Sequence, residues 1–354
     1  MSRWQPGHTY CLLAWYGWIR RTSTGPYRPS QIPGLRRFFS AKEGPGDENH
    51  RRHDRRGDEH VVGRAGTELP VRVEPHALII VGNMSTTANS PEKSYSTIVV
   101  ERSDGVVTVT FNRPQRKNAA NGTMWIELLD ALTEIYFRSD DRVVVFTGAG
   151  GEFCSGADLV DMGDGSGRTH THSYYSMREI TSVIMALARL PQPTIAKVRG
   201  VAVGVGCNIA LGCDLVVASD NARFSEIFSK RGMSLDGGGS WILPRRIGLH
   251  RAKELAFFAD IIDAAEADRI GLVNRVVADA ELDAFVDGWV ERLLALPPIA
   301  LAQSKRLLNN AMQVTLEEAL DDEGVAQTVN FGTKDTPEAI AAFVEKRTPN
   351  FRGR

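Results

Sequence analysis

The feature that most constrains the fold is the alternation of short β-branched runs with segments of helical spacing between residues 96 and 213. The run "STIVVERSDGVVTVTFN" (96–112) holds two strand-like stretches joined by Ser-Asp-Gly, which is typical of a β-hairpin. Further strands are predicted at 142–153 and 193–204, and helices at 123–137, 176–190 and 206–213. Strands that alternate with helices predict an α/β layer architecture.

Two further patterns complete the folded part. Residues 214–227, "DLVVASDNARFSEI", predict a pair of strands. Beyond Leu243 the pattern is mainly helical, with helices predicted at 250–259 and 263–271 and long helices from residue 281 to the C-terminus. We therefore predict an α/β core over residues 93–290 and a helical region over residues 291–354.

The N-terminal 92 residues differ in kind from the rest. Residues 1–42 contain basic side chains but no Asp or Glu, and the run "GDENHRRHDRRGDEHVVGR" (46–64) is too charge-dense to bury a core. Three interpretations are open: an organelle transit peptide, a disordered arm, and an upstream extension with Met84 as the true start. We favour the last, because no periodicity precedes Met84. The protein is then expected in the cytoplasm, whereas a transit peptide would direct it to mitochondria.

Composition argues against several kinds of partner. Lys and Arg number 42 and Asp and Glu number 43, so a net charge of −1 gives no general attraction to nucleic acid or to a membrane surface. No apolar run reaches the roughly 18 residues that span a bilayer. The four cysteines (Cys11, Cys154, Cys207 and Cys213) show no CxxC spacing, which argues against a zinc site and a disulfide scaffold. We expect no metal, no nucleic acid and no membrane as partner.

Two predicted strands run into glycine-rich loops, "TGAGGEF" (147–153) and "GVGCNI" (204–209). Neither loop completes a dinucleotide-binding fingerprint, because Phe153 and Ile209 stand where the third small residue is needed. Each loop leads into a helix-like segment, where unpaired backbone N–H groups carry partial positive charge. Two such donors converging on one oxygen would form an oxyanion hole, and two plain tight turns are the alternative.

Six motifs in order resemble the crotonase (enoyl-CoA hydratase/isomerase) superfamily. They run from about Ser96 to Phe351 and read "FNRPQRKNA", "GEFCSGADL", "PTIAKVRGVAVGVGCNIALGCDLVVASDNARFSE", "LPRRIGLHRAKEL", "EADRIGLVNRVV" and "AFVEKRTPNF". The resemblance implies a spiral of ββα units with a C-terminal helical trimerisation region, assembled as a homotrimer or hexamer. It also implies an acyl-CoA thioester substrate that passes through an enolate, with no cofactor beyond the CoA of the substrate.

The resemblance assigns candidate site residues to this chain. The oxyanion-hole donors would be the backbone N–H groups of Ala157 in "CSGADL" and Val205 in "VGVGC", where the family usually has glycine at the second position. The basic loop, with Arg113, Arg116 and Lys117, and the C-terminal Lys346 match positions that lie near CoA in the family. For the loop, a solvated surface turn is the alternative. The candidate substrate-binding residues are Arg113, Arg116, Lys117, Asp158, Asn208, Phe228 and Lys346.

Hydratases of this family use two glutamates to hold and activate one water. The matching positions here are Asn208 and Phe228, neither of which is basic, so water addition by that mechanism is disfavoured. Asp236, in "GMSLDGGGSW", lies where several isomerase branches carry a catalytic aspartate. Burial beside Leu235 and an acyl chain would raise its pKa from about 3.9, which suits proton transfer to and from carbon. We therefore predict an enoyl-CoA isomerase with Asp236 as the proton shuttle.

Three alternatives stay open at this point. Glu226, in "FSEIF", is a second candidate catalytic acid that could point into the pocket or away from it, and it would serve a hydratase-like lyase. Asp236 could instead be an ordinary turn residue. The loss of both glutamates also fits a non-catalytic CoA-binding scaffold, although the two intact oxyanion loops argue against that alternative.

Overall fold

Strands and helices alternate in the computed structural model, which describes residues 93–160 and 172–354. The strands are β1 (Ile98–Ser103), β2 (Val106–Phe111), β3 (Val143–Gly148), β4 (Thr194–Val198), β5 (Val201–Val203), β6 (Leu215–Ser219), β7 (Arg223–Ser225), β8 (Ile262–Asp263) and β9 (Arg275–Val277). The helices are α1 (Gly122–Phe137), α2 (Ser173–Arg189), α3 (Val205–Gly212), α4 (Gly239–Phe258), α5 (Ala264–Arg269), α6 (Leu282–Leu294), α7 (Pro298–Asn310), α8 (Leu316–Phe331) and α9 (Asp335–Glu345). The predicted α/β class is confirmed, whereas the three interpretations of residues 1–92 lie outside the described residues.

The main sheet has six strands in the order β1-β2-β3-β4-β6-β9. β1 and β2 form the predicted antiparallel hairpin, whose turn places Asp104 (φ 50°) and Gly105 (φ 86°) in the left-handed region. Every other neighbouring pair in this sheet is parallel. The carboxyl ends of these parallel strands therefore meet at one edge, where the loops that follow them can build a site.

A second sheet of three strands, β5-β7-β8, corrects two expectations drawn from the pattern. Residues 214–227 do hold two strands, but β6 and β7 lie in different sheets and do not pair with each other. The single strand expected over 193–204 is interrupted at Arg199 and Gly200, so that β4 and β5 serve one sheet each. A β-branched pattern marks a segment as extended, but it does not identify the strand with which that segment pairs.

The main sheet is covered on both faces. Alternate residues of β3 point to opposite sides, with Val144 and Phe146 in a large core against α1, α2 and α3, and Val143 and Val145 in a smaller one. The smaller core is closed by three buried side chains of α6, which are Leu282, Val286 and Val290. Parallel strands that are buried on both faces explain the continuous apolar runs in the sequence.

Two helix starts differ from the predicted positions. α2 begins at Ser173 rather than residue 176, because the Nδ1 atom of His172 accepts a hydrogen bond from the Tyr174 N–H (3.1 Å) and caps the helix. α4 begins at Gly239 rather than residue 250, and it bends at Gly248 (φ 76°). Pro244 and Gly248 interrupt the helical sequence pattern, so the pattern did not predict the first half of α4.

The C-terminal helical region is formed by α7, α8 and α9, as the family resemblance implied. α8 starts with a capping box, in which Thr315 and Glu318 satisfy each other's backbone N–H groups. In the described residues, no helix combines the length and the apolarity that crossing a bilayer requires. The predicted boundary at residue 290 and the predicted trimerisation stay predictions.

Candidate active site

The two glycine-rich loops come together beside α3. The Cys154 N–H donates to the Val201 carbonyl (2.9 Å), and the Val203 N–H donates to the Cys154 carbonyl (3.0 Å). The two chain segments also lie close together at Gly206, beyond these hydrogen bonds. A Cβ on Gly206 would lie 2.4 Å from the Cys154 carbonyl oxygen. Glycine is therefore required at position 206, and the segments that follow the two loops pack directly against each other.

Ala157 and Val205 follow the points of contact between these loops. Gly156 (φ 100°) packs on the Val203 carbonyl just before Ala157, and Gly204 (φ 54°) turns the chain into the first residue of α3, Val205. Within 93–160 and 172–354, neither the Ala157 N–H nor the Val205 N–H donates a hydrogen bond. Two unpaired N–H groups on adjoining segments are what an oxyanion hole needs.

The loop that carries Asp236 lies directly on the first turns of α3. A Cβ on Gly237 would lie 2.9 Å from the Cγ2 atom of Val205, and a Cβ on Gly239 would lie 2.6 Å from the amide nitrogen of Asn208. Gly237 also has a left-handed backbone (φ 57°), so both the close approach and the turn call for glycine there. The Val205 side chain is buried in this packing, 2% exposed. The glycines that follow Asp236 thus pack its loop against Val205 and Asn208 of α3.

The Asp236 carboxyl is partly withdrawn from water. Its Oδ1 atom is buried and accepts no hydrogen bond from any residue that the structure describes. Burial raises the pKa of Asp236 from 3.8 to about 6. The carboxylate is then the main form at neutral pH, and it is a stronger base than an exposed aspartate.

Glu226, which follows β7, points into the protein interior rather than toward solvent. The residue is 2% exposed, and its Oε2 atom accepts a hydrogen bond from the Asn208 amide (3.3 Å). Burial is the largest cause that raises the pKa of Glu226 to about 7, and the nearby Asp236 carboxyl contributes to the same shift. Hydrogen bonds from Cys207 and Asn208 oppose this shift. Two acids with raised pKa values therefore lie on either side of Asn208.

Asn208 and Phe228 occupy the positions at which the hydratase glutamates were expected. Asn208 is fully buried in α3, and its amide donates to the Asp236 carbonyl (2.9 Å) as well as to Glu226. Asn208 does not cap α3, because this helix begins at Val205 after Gly204. The Phe228 ring lies against Gly204, 3.7 Å from where a Cβ would stand. Both side chains therefore border the candidate oxyanion donors.

The predicted basic loop divides into a buried and an exposed part. The Nη1 atom of Arg113 lies 2.9 Å from the Oδ2 atom of Asp158, and these side chains are only 12% and 3% exposed. Arg116 is exposed, and Lys117 forms an ion pair with Glu152 (2.9 Å) at the surface. Arg113 and Asp158 thus join the basic loop to the segment that carries Ala157, a role the sequence did not reveal.

The remaining predicted residue, Lys346, is exposed where α9 ends. The Cys207 contact with Glu226 was also missed, because no local signal links α3 to the residues after β7. In the part of the chain that the structure describes, no cluster of three or more His, Cys, Asp or Glu side chains could hold a metal ion. The residues gathered around the start of α3 are Ala157, Val205, Asn208, Glu226, Phe228 and Asp236.

Comparison with known proteins places this geometry among acyl-CoA enzymes. Residues 101–354 match the family model described as enoyl-CoA hydratase/isomerase. The chain is 36% identical over 251 residues to 1,2-epoxyphenylacetyl-CoA isomerase of Escherichia coli, covering 71% of this chain and 96% of the relative. It is 34% identical over 259 residues to crotonyl-CoA hydratase of Syntrophomonas wolfei, covering 73% and 98%. The crystal structure of an enoyl-CoA hydratase from Bacillus anthracis superposes with a TM-score of 0.70 at 34% identity, covering 73% of this chain and 100% of that chain.

Proposed function

The chain belongs to the enoyl-CoA hydratase/isomerase family, and within that family we propose that it shifts a C=C double bond of an enoyl-CoA thioester. One observation carries the proposal. Asp236 has a raised pKa and lies on the loop that packs against the Val205 side chain, while Asn208 and Phe228 stand at the positions of the two hydratase glutamates. A single base that can return the proton suits isomerisation better than activation of water.

The proposed reaction moves one proton between two carbons. The Asp236 carboxylate removes a proton from C2 of a 3-enoyl thioester, and the electrons of that C–H bond delocalise through the C=C–C–C=O system onto the thioester oxygen. The Ala157 and Val205 N–H groups stabilise the resulting dienolate, each contributing about 3 kcal/mol of transition-state stabilisation. Asp236 then delivers the same proton to C4, the C2–C3 double bond forms, and the carboxylate is regenerated.

Binding of the CoA part is proposed for the exposed cations. Arg116, Lys117 and Lys346 are accessible to phosphate groups, whereas Arg113 is paired with Asp158. We also propose the homotrimer or hexamer implied by the resemblance. Large apolar side chains exposed on the C-terminal helices support it, namely Leu316 (77% exposed), Phe331 (71%), Phe343 (83%) and Val344 (72%).

Hydration is the second candidate function. It is favoured by the names of several relatives, including the short-chain-enoyl-CoA hydratase of Clostridium acetobutylicum, to which the chain is 37% identical over 251 residues. Glu226 would then have to supply the second acid. A CoA-binding scaffold without turnover is the remaining alternative.

The test compares the wild type with Asp236→Asn on a panel of 2-enoyl, 3-enoyl and dienoyl thioesters, followed by ultraviolet absorbance and by mass. We expect a double-bond shift without a change in mass, reduced 10²–10⁴-fold in the variant, as for loss of a general base. Asp260→Asn, which removes an exposed carboxylate paired with Lys230, serves as the control. A gain of one water that survives in Asp236→Asn would establish hydration instead. Binding of acyl-CoA without turnover would establish the scaffold alternative.

A further inference from the structure

A buried hydrogen-bonded chain links Glu226 to the loop that carries Asp236. We infer that Glu226 is a positioning residue, which acts through Asn208 to hold the Asp236 peptide against the first turns of α3. The inference rests on the proposed function in one respect, namely that Asp236 transfers the proton. It assigns to Glu226 a role different from that of a second catalytic acid.

The chain of contacts runs through a single amide group. The Nδ2 atom of Asn208 lies 3.3 Å from Oε2 of Glu226 and 2.9 Å from the carbonyl oxygen of Asp236. An amide NH₂ has two hydrogens, so both bonds can form together. These contacts join the end of β7, the helix α3 and the loop before α4. Asn208 and Glu226 are 0% and 2% exposed, so water does not compete for these bonds.

The surroundings of Glu226 are those of an interior group. Glu226 lines one small cavity together with residues of β7, α3, α4, β8 and the segment before β9. They are Cys207, Phe224, Ser225, Leu255, Ile262 and Leu272. Among the described residues, the titratable groups that face Glu226 are therefore the Cys207 thiol and the Asp236 carboxyl. Burial raises the pKa of Cys207 well above its usual range, so the thiol stays neutral.

The charge on Glu226 then sets the relative strength of the two hydrogen bonds that the Asn208 amide donates. While Glu226 is protonated, the Asn208 amide donates one hydrogen bond to the neutral Glu226 carboxyl and the other to the Asp236 carbonyl. Ionisation, with a pKa of about 7, makes Glu226 the stronger acceptor and places a second negative charge near the Asp236 carboxylate. Both effects weaken the hold on the Asp236 loop, so kcat should fall on the alkaline side.

Four full-length variants test the inference: Glu226→Gln, Glu226→Ala, Asn208→Ala and the double Glu226→Ala/Asn208→Ala. Glutamine keeps the acceptor oxygen without a charge, whereas alanine removes the acceptor. At pH 6.5 we expect Glu226→Ala to lower kcat about tenfold through misplacement of the base, with KM unchanged within about twofold. Glu226→Gln should recover most of that loss and should lack the alkaline fall. The double variant should be no slower than the slower single variant, because both residues act in one chain.

Three outcomes would overturn the inference. Equal inactivity of Glu226→Gln and Glu226→Ala would show that Glu226 itself transfers a proton. Multiplicative losses in the double variant would show that Glu226 and Asn208 act separately. An unchanged kcat in Glu226→Ala would show that the contact does not matter. If Glu226→Ala fails to fold, the pH profile of Glu226→Gln decides alone, and an alkaline fall that persists in it contradicts the inference.

A second measurement does not depend on turnover. In protein labelled with [γ-¹³C]aspartate, the Asp236 signal, assigned with Asp236→Asn, should show its own inflection and a second one near the pKa of Glu226. The second inflection should vanish in Glu226→Gln, and its persistence there would contradict the inference. If no double-bond shift occurs in any form of the protein, the proposed function fails, but this titration still decides the coupling between Glu226 and Asp236.

Discussion

At the scale of single residues, the site is defined by where its carboxyl groups have lost contact with water. Asp236 and Glu226 both have raised pKa values, and burial is the largest cause for each. The two carboxyls differ in their surroundings, because Asp236 lies on the loop that packs against Val205 and Glu226 shares a small cavity with several apolar residues. In the proposed mechanism, the same physical effect would make Asp236 a base for carbon and Glu226 a positioning residue.

The buried Glu226 should make stability depend on pH. Its pKa rises from 4.5 to about 7 on folding, so between these values the folded state binds more protons than the unfolded state, and stability falls as pH rises. Well above pH 7 the cost approaches roughly 3 kcal/mol. Glu226→Gln should therefore gain stability over the wild type at pH 8 but not at pH 4.5, as measured by urea unfolding. Asp236 titrates in both proteins, so only its coupling to Glu226 differs between them. A stability difference independent of pH would contradict the assignment.

At the scale of elements, the site depends on how closely the Asp236 loop lies on α3. Gly237 meets Val205 and Gly239 meets Asn208, so this helix start contacts the loop of the proposed base and carries one of the proposed oxyanion donors. On the other side, the pair of Arg113 and Asp158 fixes the segment of Ala157. Each half of the candidate oxyanion hole is therefore held by its own packing contact.

The loop contact can be separated from backbone strain by a matched pair of substitutions. Gly237→Ala and Gly232→Ala both place alanine at a left-handed position (φ 57° and 68°), which costs about 1 kcal/mol. Only the first would bring a Cβ against α3, since nothing lies within 4 Å of position 232. We expect both variants to lose some stability in thermal unfolding, and only Gly237→Ala to lose about tenfold or more in kcat. Equal effects on kcat would show that contact with α3 is unimportant.

The buried pair is tested by comparing two arginines of the basic loop. Arg113→Met leaves the Asp158 carboxylate buried without its guanidinium partner, which should cost about 3 kcal/mol of stability and lower kcat. Arg116→Met removes an exposed cation and should instead raise KM for the CoA ester, more strongly at low salt. Urea unfolding and steady-state kinetics at two ionic strengths distinguish the two. A selective loss of CoA affinity in Arg113→Met would assign Arg113 to CoA rather than to Asp158.

At the scale of the whole molecule, the described residues form an α/β core with helices beyond it whose outer faces remain apolar. α8 and α9 expose several large apolar side chains, more than isolated surface positions would account for. The proposed homotrimer or hexamer would bury this surface, and Lys346 at the end of α9 would then lie near such contacts.

The assembly is tested by Phe343→Asp. Phe343 is 83% exposed, so a charge there should leave the fold of the subunit intact but should disfavour burial between subunits. Light scattering after size exclusion should give a trimer or hexamer for the wild type and smaller species for the variant. Glu345→Gln, on the same helix, is the control for a change of charge. A monomeric wild type would rule out the proposed assembly.

The sequence by itself determined the fold class, the hairpin of β1 and β2 and the two glycine loops, and the family resemblance added Asp236 as a candidate base. The first three features are local, since they follow from the spacing of apolar residues and from glycines in turns. The prediction that burial would raise the pKa of Asp236 drew on its neighbour Leu235 and on a bound acyl chain.

Only the tertiary structure decided which strands pair, which way Glu226 points and what Arg113 binds. β6 and β7 are adjacent in sequence but lie in different sheets, and Asn208, Glu226 and Asp236 come from three separate elements. Their contacts arise when remote segments pack, and the burial that sets the pKa of Glu226 exists only after that packing. Pairing, orientation and burial depend on segments distant in the chain, and that is why no local pattern encoded them.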